Sequence, residues 1–385
     1  MLSNAPNAQG FTHPKRQDDL IHLHQVYQAL LKSRRQRGAV DFDTIETQIV
    51  CDANGHIEKI MPKTRNDAHK LIEEAMLAVN VCSANFIALH KYIALYRVHD
   101  EPTPEKVEIL RNYLKSSGVS TNVCTNPTPA DFQGIANVTK NRHDVQQIHT
   151  ILLRTMQQAV YTPCNTGHFG LALEAYTHFT SPIRRYPDLL VHRVIKAILA
   201  KKKYHLPVLP TPGEAHVRLA KRLQNNTAKS NRNTRKPSAE ILAWQAAGLH
   251  CSTQERRADE ASRDVDAWLK CKYMCEHLGE EFAGVVSTVT SFGLFVTLDA
   301  LYVEGLVHIT ELGGDYFQFD EMHLILRGER TGISYTIGTR VLVQVSQVDM
   351  DGRRIDFRLM SQVAINAQRS NRRAHRKSVG LLQTT

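Results

Sequence analysis

The segment HFGLALEAYTHFTSPIRRYPDLLVHRVIKAILA, residues 168–200, decides how the rest of this chain is interpreted. Its aromatic and apolar first part ends at the breaker sequence TSP, residues 180–182. A helix is predicted to begin near Pro187, because proline fits the first helical turn, where its missing N–H would have no partner. Apolar residues at helical spacing predict the buried face of that helix: Leu190, Val194, Ala197 and Ile198. The segment therefore predicts a tight loop that leads into an amphipathic helix.

Two adjacent arginines, Arg184 and Arg185, lie in this loop just before the predicted helix. Backbone N–H groups at a helix N-terminus and the planar guanidinium fork both bind phosphate well. The loop is therefore a candidate phosphate site. The alternative is that one arginine pairs with Asp188 while the other points into water, and the residues alone favour neither arrangement.

A second amphipathic helix is predicted over about residues 66–89, with Thr64 and Asp67 as its capping box. At 100° per residue its apolar side chains form one stripe: Leu71, Ala75, Ala78, Val79, Cys82 and Phe86. Glu74 lies at the edge of that stripe, where a carboxylate can face a cleft while its backbone stays packed. A surface ion pair is the more common role for a glutamate at such an edge.

A long helix is predicted from about residue 238 to 278, with an interruption near Gly248 and Cys251. Its mixed charges, in ERRADEASRDVDAWLKC, form a solvated face by default. Cys271 and Cys275 lie one helical turn apart, but no second Cys or His pair stands at ligand spacing. This pattern argues against a zinc site.

The character of the chain changes after Gly279, and residues 281–360 are predicted to form short strands. Five such strands in about 80 residues, bent by glycines, are typical of a small closed barrel of the OB type. Phe292 and Phe295 flank Gly293, and a bulge at that glycine would bring both rings to one outer face. By strand alternation His308 and Arg354 also point outward.

These four side chains, Phe292, Phe295, His308 and Arg354, suit a surface on which bases of single-stranded nucleic acid stack. The alternative is that both phenylalanines belong to the core of the barrel.

Charge is distributed unevenly along the chain. Lysine and arginine total 48 against 38 acidic residues, a formal net charge of +10. Residues 201–240 hold ten basic and two acidic residues, and residues 361–385 hold five basic and no acidic ones. Segregated positive charge is typical of proteins that bind polyanions, since each Lys or Arg near a phosphate releases a condensed counterion. Solubilising loops are the alternative explanation.

Length and composition exclude several classes of protein. With 385 residues, 42% of them apolar, the chain is long enough for two or three soluble domains. It contains no unbroken run of about eighteen apolar residues that would predict a membrane span. Its first residues lack the apolar core of a signal peptide, and seven scattered cysteines suit free thiols in a reducing compartment. A cytoplasmic protein without membrane attachment is therefore expected.

Three segments and the barrel together carry a family resemblance. The segments are TRNDAHKLIEEAMLAVN at 64–80, HFGLALEAYTHFTSPIRRYPDLLVHR at 168–193 and ERRADEASRDVDAWLKC at 255–271. They resemble the ribonuclease II superfamily of exoribonucleases, and within it the bacterial ribonuclease R branch. SFGLFV at 291–296 and EGLVHITEL at 304–312 resemble the S-one-type RNA-binding barrel that ends such enzymes.

The resemblance implies an α+β protein in three parts. Residues 1–278 are expected to form the C-terminal part of a mixed, helix-rich RNB catalytic domain of the ribonuclease II type. Residues 281–360 are expected to form the S-one-type OB barrel, and residues 361–385 a basic, disordered tail.

The resemblance also implies an activity, namely processive 3′→5′ hydrolysis of single-stranded RNA to nucleoside 5′-monophosphates with Mg²⁺. Arg184 matches the arginine that binds the phosphate at the scissile end, and Glu74 matches an acid near the terminal nucleotide. Phe42 matches an aromatic that stacks on a base, and Glu260 matches, less closely, another acid of the active-site region. Arg185 and the four barrel residues complete the expected RNA contacts.

The sequence departs from the family pattern at the metal site. Family members hold Mg²⁺ with a cluster of aspartates in a short motif upstream of these segments. The only adjacent aspartate pair here, Asp18-Asp19, lacks the other carboxylates, whereas Mg²⁺ needs several oxygen ligands. No metal ligand is therefore assigned. The expectation is a truncated, monomeric enzyme that lacks an N-terminal half and binds RNA without cutting it. The alternatives are a non-catalytic RNA-binding module and one half of a split nuclease.

Overall fold

The computed structural model describes the chain in eight stretches, to which every structural statement below refers. The stretches are residues 16–40, 47–54, 56–63, 65–119, 123–142, 144–206, 238–321 and 323–360. Phe42, most of the basic segment 201–240 and the predicted tail at 361–385 lie outside the described residues.

The described residues up to Met274 are mainly helical. The helices are α1 Gln17–Arg37, α2 Asp67–Leu89, α3 Pro104–Ser116, α4 Pro129–Thr139, α5 Val145–Thr155, α6 Tyr186–Leu199 and α7 Ala239–Met274. Two short antiparallel pairs accompany them, formed by β1 Thr47–Cys51 with β2 Ile57–Pro62 and by β3 Tyr96–Val98 with β4 Val160–Thr162. As the sequence predicts, α6 begins with proline in its first turn and buries Leu190, Val194 and Ile198.

The cap and the buried face of α2 differ from the sequence-based prediction. Asn66, not Thr64, is the N-cap: its side chain accepts from the His69 backbone N–H, and the His69 ring accepts from the Asn66 N–H in return. Ala84 and Ile87 are fully buried, whereas Val79, a member of the predicted stripe, is 43% exposed. The stripe is therefore only partly covered by the described residues.

By length and mean hydropathy, 1.4 over an 18-residue window, α2 would qualify as a membrane span, which the search for an unbroken apolar run missed. One third of that window is buried inside the fold, and the first turns carry Asp67, Lys70 and Glu73. One helix of this length and composition is weak evidence for a membrane span.

Helix α7 runs without the interruption predicted at Gly248, because this glycine faces a strand at very short range. A Cβ atom at position 248 would lie 2.4 Å from the carbonyl oxygen of Tyr161 in β4. Ser252, one turn later, accepts the Tyr161 backbone N–H at 2.9 Å. Gly248 therefore allows α7 to pack closely against β4. Glycine costs a helix about 1 kcal/mol relative to alanine, and this cost does not interrupt α7.

The C-terminal part is the predicted five-stranded closed barrel. Its strands are β5 Glu281–Thr290, β6 Gly293–Leu298, β7 Glu304–His308, β11 Arg340–Asp349 and β12 Arg354–Leu359, in the order β11-β12-β7-β6-β5. Neighbours are antiparallel except β12 and β7, which run parallel. Between β7 and β11 a three-stranded sheet is inserted, formed by β8 Phe317–Asp320, β9 Ile325–Gly328 and β10 Ser334–Thr336.

Helix α7 joins the helical part to the barrel. The buried side chains of Cys271 and Met274, in its last turn, belong to the same apolar cluster as the barrel interior. Asp264 forms an ion pair with Arg353 of the barrel. The predicted boundary between the two parts falls in the short connection that follows α7 and precedes β5.

Candidate nucleic-acid interface

The loop before α6 holds its two arginines in different environments. Asp188, which is fully buried, accepts the Ser181 backbone N–H at 2.8 Å and Arg185 Nη2 at 2.9 Å, both on Oδ1. Arg184 is exposed, and none of the described residues forms an ion pair with its guanidinium. The loop therefore presents Arg184 to solvent while Arg185 braces it, which is the arrangement posed as the alternative in the sequence analysis. A direct phosphate contact by Arg185 stays a prediction.

Glu74 lies in a cavity of about 560 Å³ between α1, α2 and α4. Its carboxylate is buried and accepts Arg34 Nη1 at 2.8 Å, so it forms an ion pair inside the cavity. Glu73 pairs with Arg65 on the rim. The cavity is lined by five basic and three acidic residues: Arg34, Arg35, Arg65, Lys70, Lys140, Asp67, Glu73 and Glu74. The excess of basic groups suits an anionic ligand.

A hydrogen-bonded cluster that the sequence did not predict joins β3, β4 and α7 to the segment before α6 that contains Arg184, called the Arg184 loop below. Arg97 Nη1 donates to Glu255 Oε2 at 2.6 Å, and its guanidinium lies 4.6 Å from the Tyr161 ring centroid. The Tyr161 hydroxyl lies 3.3 Å from Glu255 Oε1 and 2.8 Å from His178 Nδ1. Below, these four residues are called the tyrosine cluster.

Burial sets the protonation states in this cluster. Desolvation, reinforced by the charges of Arg185, Arg97 and Arg184, lowers the pKa of His178 to about 2. Desolvation also raises the pKa of the Tyr161 hydroxyl. A neutral imidazole and a protonated phenol are therefore present at every ordinary pH.

Glu260 does not reach the tyrosine cluster. It lies on the exposed side of α7, five residues after Glu255, and five residues turn a helix by about 500°, which leaves the two side chains about 140° apart. Glu255 is the acid that α7 contributes. The sequence signal that could have pointed to it is the ERR triplet itself, but its partner Arg97 lies 158 residues away in the chain.

The barrel brings three of its four predicted RNA-binding residues together. The rings of Phe292 and Phe295 are 6.1 Å apart and nearly perpendicular, and Phe292 is 48% exposed. Gly293 pairs directly with His308, and its φ of +154° and the 2.3 Å between a Cβ placed there and the Val307 carbonyl oxygen require glycine. The alternative, with both rings in the core, does not apply to Phe292.

Strand register separates Arg354 from this group. In the parallel pair of β12 and β7, Asp356 faces Leu306, so that Arg354 is level with Glu304 and Arg358 is level with His308. At about 3.3 Å per residue, Arg354 lies about 13 Å from the His308 level. Arg358, which the sequence analysis missed, is the nearer cation, and its Nε donates to Glu311 Oε2 at 2.9 Å. Below, Phe292, Phe295, His308 and Arg358 are called the barrel platform.

Two family models match the chain. The RNB domain model matches residues 3–201, and the S1 RNA binding domain model matches residues 277–359. The first match alone covers just over half of the 385 residues. The chain belongs to the RNB family. The family resemblance and the fold class expected from the sequence, an RNB domain followed by a small RNA-binding barrel, are thereby confirmed.

Curated relatives in the RNB family are considerably longer than this chain. It is 43% identical over 342 residues to ribonuclease R of Escherichia coli (strain K12), and 44% identical over 342 residues to ribonuclease R of Vibrio cholerae. Each alignment covers 89% of this chain but 39% of the relative. The chain thus spans about two fifths of the length of these relatives.

Solved structures agree with this RNB assignment at the level of the fold. RNase R of Mycoplasma genitalium, as the apo form and in complex with ribose methylated single-stranded RNA, matches with a TM-score of 0.75. The sequence identity is 24%, and the match covers 92% of this chain and 51% of that one.

Mg²⁺, the metal that the family resemblance implies, needs several oxygen ligands and usually more than one carboxylate. Among the described residues, no group of three or more Asp, Glu, His or Cys side chains converges where an ion could be held. Glu73 and Glu74, the neighbouring acids of the α1–α2–α4 cavity, are already paired with arginines. The described residues do not fit a magnesium site.

Proposed function

We propose that this chain binds single-stranded RNA at the Arg184 loop and at the barrel platform, as part of processive 3′→5′ exonucleolysis that yields nucleoside 5′-monophosphates. The observation that carries the proposal is the difference between the two arginines of the loop. Asp188 pairs with Arg185, whereas Arg184 is exposed just before α6. A guanidinium held in this way can bind the phosphate near the 3′ end and stabilise negative charge that develops there.

The second contact of the proposal is the barrel platform. Its two phenylalanines offer stacking surface worth about 1–3 kcal/mol per base, and Arg358 beside His308 supplies a charge for the backbone. Glu74, in its basic cavity, is proposed to contact the terminal nucleotide, with Phe42 stacking on a base.

We further propose that the chain on its own binds RNA but does not hydrolyse it. Support comes from the absence, among the described residues, of a carboxylate cluster that could hold a metal. Phosphodiester hydrolysis would then need carboxylates outside the described residues, from the same or a separate polypeptide. All seven cysteines are free thiols, which supports a cytoplasmic location, and we expect the RNA-bound species to be a monomer.

The test is to incubate the purified full chain with 5′-labelled single-stranded RNA, with and without Mg²⁺, and to follow mobility shift and RNA length together. We expect binding that weakens with salt and no shortening of the RNA. Arg184→Ala should weaken binding about 5- to 20-fold, the loss of one charged hydrogen-bonding group. Arg154→Ala, at an exposed arginine of α5, is the matched control and should change little.

Two results would contradict the proposal in different ways. RNA affinity that is absent, or unaffected by salt, would remove the RNA-binding function. Mg²⁺-dependent shortening from the 3′ end that is abolished by Arg184→Ala would instead show that the chain is a complete nuclease with ligands outside the described residues.

A further inference from the structure

The hydrogen bonds of the tyrosine cluster favour one tautomer of His178. The Tyr161 hydroxyl has one proton to donate, and it contacts two groups, Glu255 Oε1 at 3.3 Å and His178 Nδ1 at 2.8 Å. The carboxylate can only accept, and none of the other described residues donates to its Oε1, so the phenol proton is assigned to it. In this arrangement His178 Nδ1 is the protonated nitrogen and donates to the phenol oxygen. Arg97 holds the second oxygen of Glu255 and keeps the carboxylate in place.

This arrangement leaves His178 Nε2 with a lone pair and no proton. The His178 side chain is half-buried, and none of the described residues bonds to Nε2. Its pKa of about 2 keeps the ring neutral, which excludes a role as a proton-transferring base near neutral pH. In this tautomer Nε2 is a hydrogen-bond acceptor in a region that holds Arg97, Arg184 and Arg185. Arg97 and Arg185 are paired with Glu255 and Asp188, and Arg184 is the arginine for which the described residues supply no ion pair.

A hydrogen-bond acceptor placed among arginines can bind the ribose 2′-hydroxyl of a nucleic acid but not its phosphate. Phosphates bind the arginines but have no proton to give to an imidazole lone pair. The ribose 2′-hydroxyl is a donor that RNA has and DNA lacks, and it lies within one nucleotide of each phosphate. His178 precedes Arg184 by six residues in the same loop segment.

We propose that His178 Nε2 accepts a hydrogen bond from the 2′-hydroxyl of a ribose next to the phosphate bound by Arg184, so that the tyrosine cluster selects RNA over DNA. The inference rests on the RNA-binding function proposed above and adds a specificity-determining residue to it. Tyr161 and Glu255 are positioning residues: they hold the His178 ring and its tautomer without touching the RNA.

The first experiment uses the wild-type chain and changes only the RNA. Oligouridylates are labelled at the 5′ end and carry 2′-hydroxyl, 2′-hydrogen or 2′-fluoro sugars at successive single positions from the 3′ end. Binding is measured by fluorescence anisotropy in EDTA at one fixed salt concentration. Fluorine cannot donate a proton, so at one position both replacements should weaken binding about 3- to 10-fold, as expected for a single hydrogen bond. Full affinity of the 2′-fluoro RNA at every position would overturn the proposal.

The second experiment repeats the scan with two variants and a matched control. His178→Phe removes the acceptor, and Tyr161→Phe removes the group that fixes the tautomer; each should abolish the 2′-hydroxyl preference at that position while leaving affinity for the all-deoxy strand unchanged. The control is Tyr176→Phe. It also removes a buried hydroxyl, which is hydrogen-bonded to Asn80 at 3.0 Å, but Tyr176 is not one of the four residues of the tyrosine cluster. This variant should keep the 2′-hydroxyl preference.

The outcomes separate this inference from the proposed function. Salt-sensitive RNA binding with an unchanged 2′-hydroxyl preference in His178→Phe would overturn the inference alone. A wild-type chain that does not bind RNA would overturn both. Should one variant fail to fold, as circular dichroism would show, the other variant still tests the assignment to His178, and a wild-type chain without any 2′-hydroxyl preference would overturn the inference by itself.

Discussion

At the scale of single residues, Asp188 determines which of the two loop arginines is paired and which is exposed. It is fully buried and holds both the Ser181 N–H and Arg185. Asp188→Asn keeps the shape and the oxygen that accepts the backbone N–H, but it removes the charge that pairs with Arg185. We expect a loss of about 2–3 kcal/mol in the free energy of unfolding, measured by urea denaturation, together with weaker RNA binding because the Arg184 loop loosens.

The matched control for this prediction is Asp299→Asn. Asp299 pairs with Arg340 at 2.8 Å on the barrel surface, where both groups are largely exposed. A pair of this kind is worth about 0–1 kcal/mol, so the control should unfold close to wild type. Equal free energies of unfolding for the two variants would mean that the charge of Asp188 does not stabilise the loop.

Residue roles were the part of the site that the sequence predicted least well. The residues alone left open which loop arginine pairs with Asp188, and Arg184 was singled out through the family resemblance. The RNA contacts of Arg184 and Glu74 stay predictions. Neither the Arg34 partner of Glu74, 40 residues away, nor the Arg97 partner of Glu255 could be anticipated, since such pairs depend on how separate elements pack. Phe42 lies outside the described residues, and its stacking role stays a prediction.

At the scale of secondary-structure elements, the parallel register of β12 and β7 decides which arginine joins the barrel platform. Arg358 lies level with His308 and Arg354 does not. Arg358→Ala should therefore weaken binding of single-stranded RNA and reduce the slope of log affinity against log salt by about 1, the loss of one phosphate contact. Fluorescence anisotropy over a salt series measures both quantities.

Arg340→Ala is the control for this prediction. Arg340 is 68% exposed in its side chain against 59% for Arg358, and each is paired with one acid. It lies on β11 opposite Val285 of β5, four residues before Gln344, which pairs with Arg358, so the two arginines are about 13 Å apart along the strands. A salt slope that falls equally in both variants would show a general charge effect and no specific contact by Arg358.

Strand β12 shows why the alternation of residues in a strand predicts which side chains face outward but not which residues of other strands lie beside them. Alternation along β12 correctly placed Arg354 on the outside, because side chains of a strand point to opposite faces in turn. Its position along the barrel depends on the pairing with β7, about 50 residues earlier in the chain, and alternation within one strand carries no information about it. Likewise, the continuity of α7 through Gly248 depends on the β4 backbone that this glycine faces.

At the scale of the whole molecule, the helical part and the barrel share one apolar core. The cluster that contains the barrel interior also contains Leu110 and Tyr113 of α3 and Phe132 of α4, with Cys271 and Met274 of α7. Helix α7 also contributes Glu255 to the tyrosine cluster. A single helix therefore contacts both the tyrosine cluster and the barrel, and we expect the two parts to unfold as one cooperative unit.

Met274→Ala tests this cooperativity. Met274 is fully buried at the junction, and truncating a buried methionine to alanine costs about 2–5 kcal/mol. If the two parts unfold together, the loss should raise hydrogen exchange by a similar factor in α3 and α5 and in β6 and β7, as measured by mass spectrometry. Met61→Ala, at a methionine of β2 that is 41% exposed, should leave exchange in both regions near wild type. Faster exchange confined to the barrel would mean that α7 belongs to the barrel alone, and that RNA bound there cannot influence the Arg184 loop through a shared core.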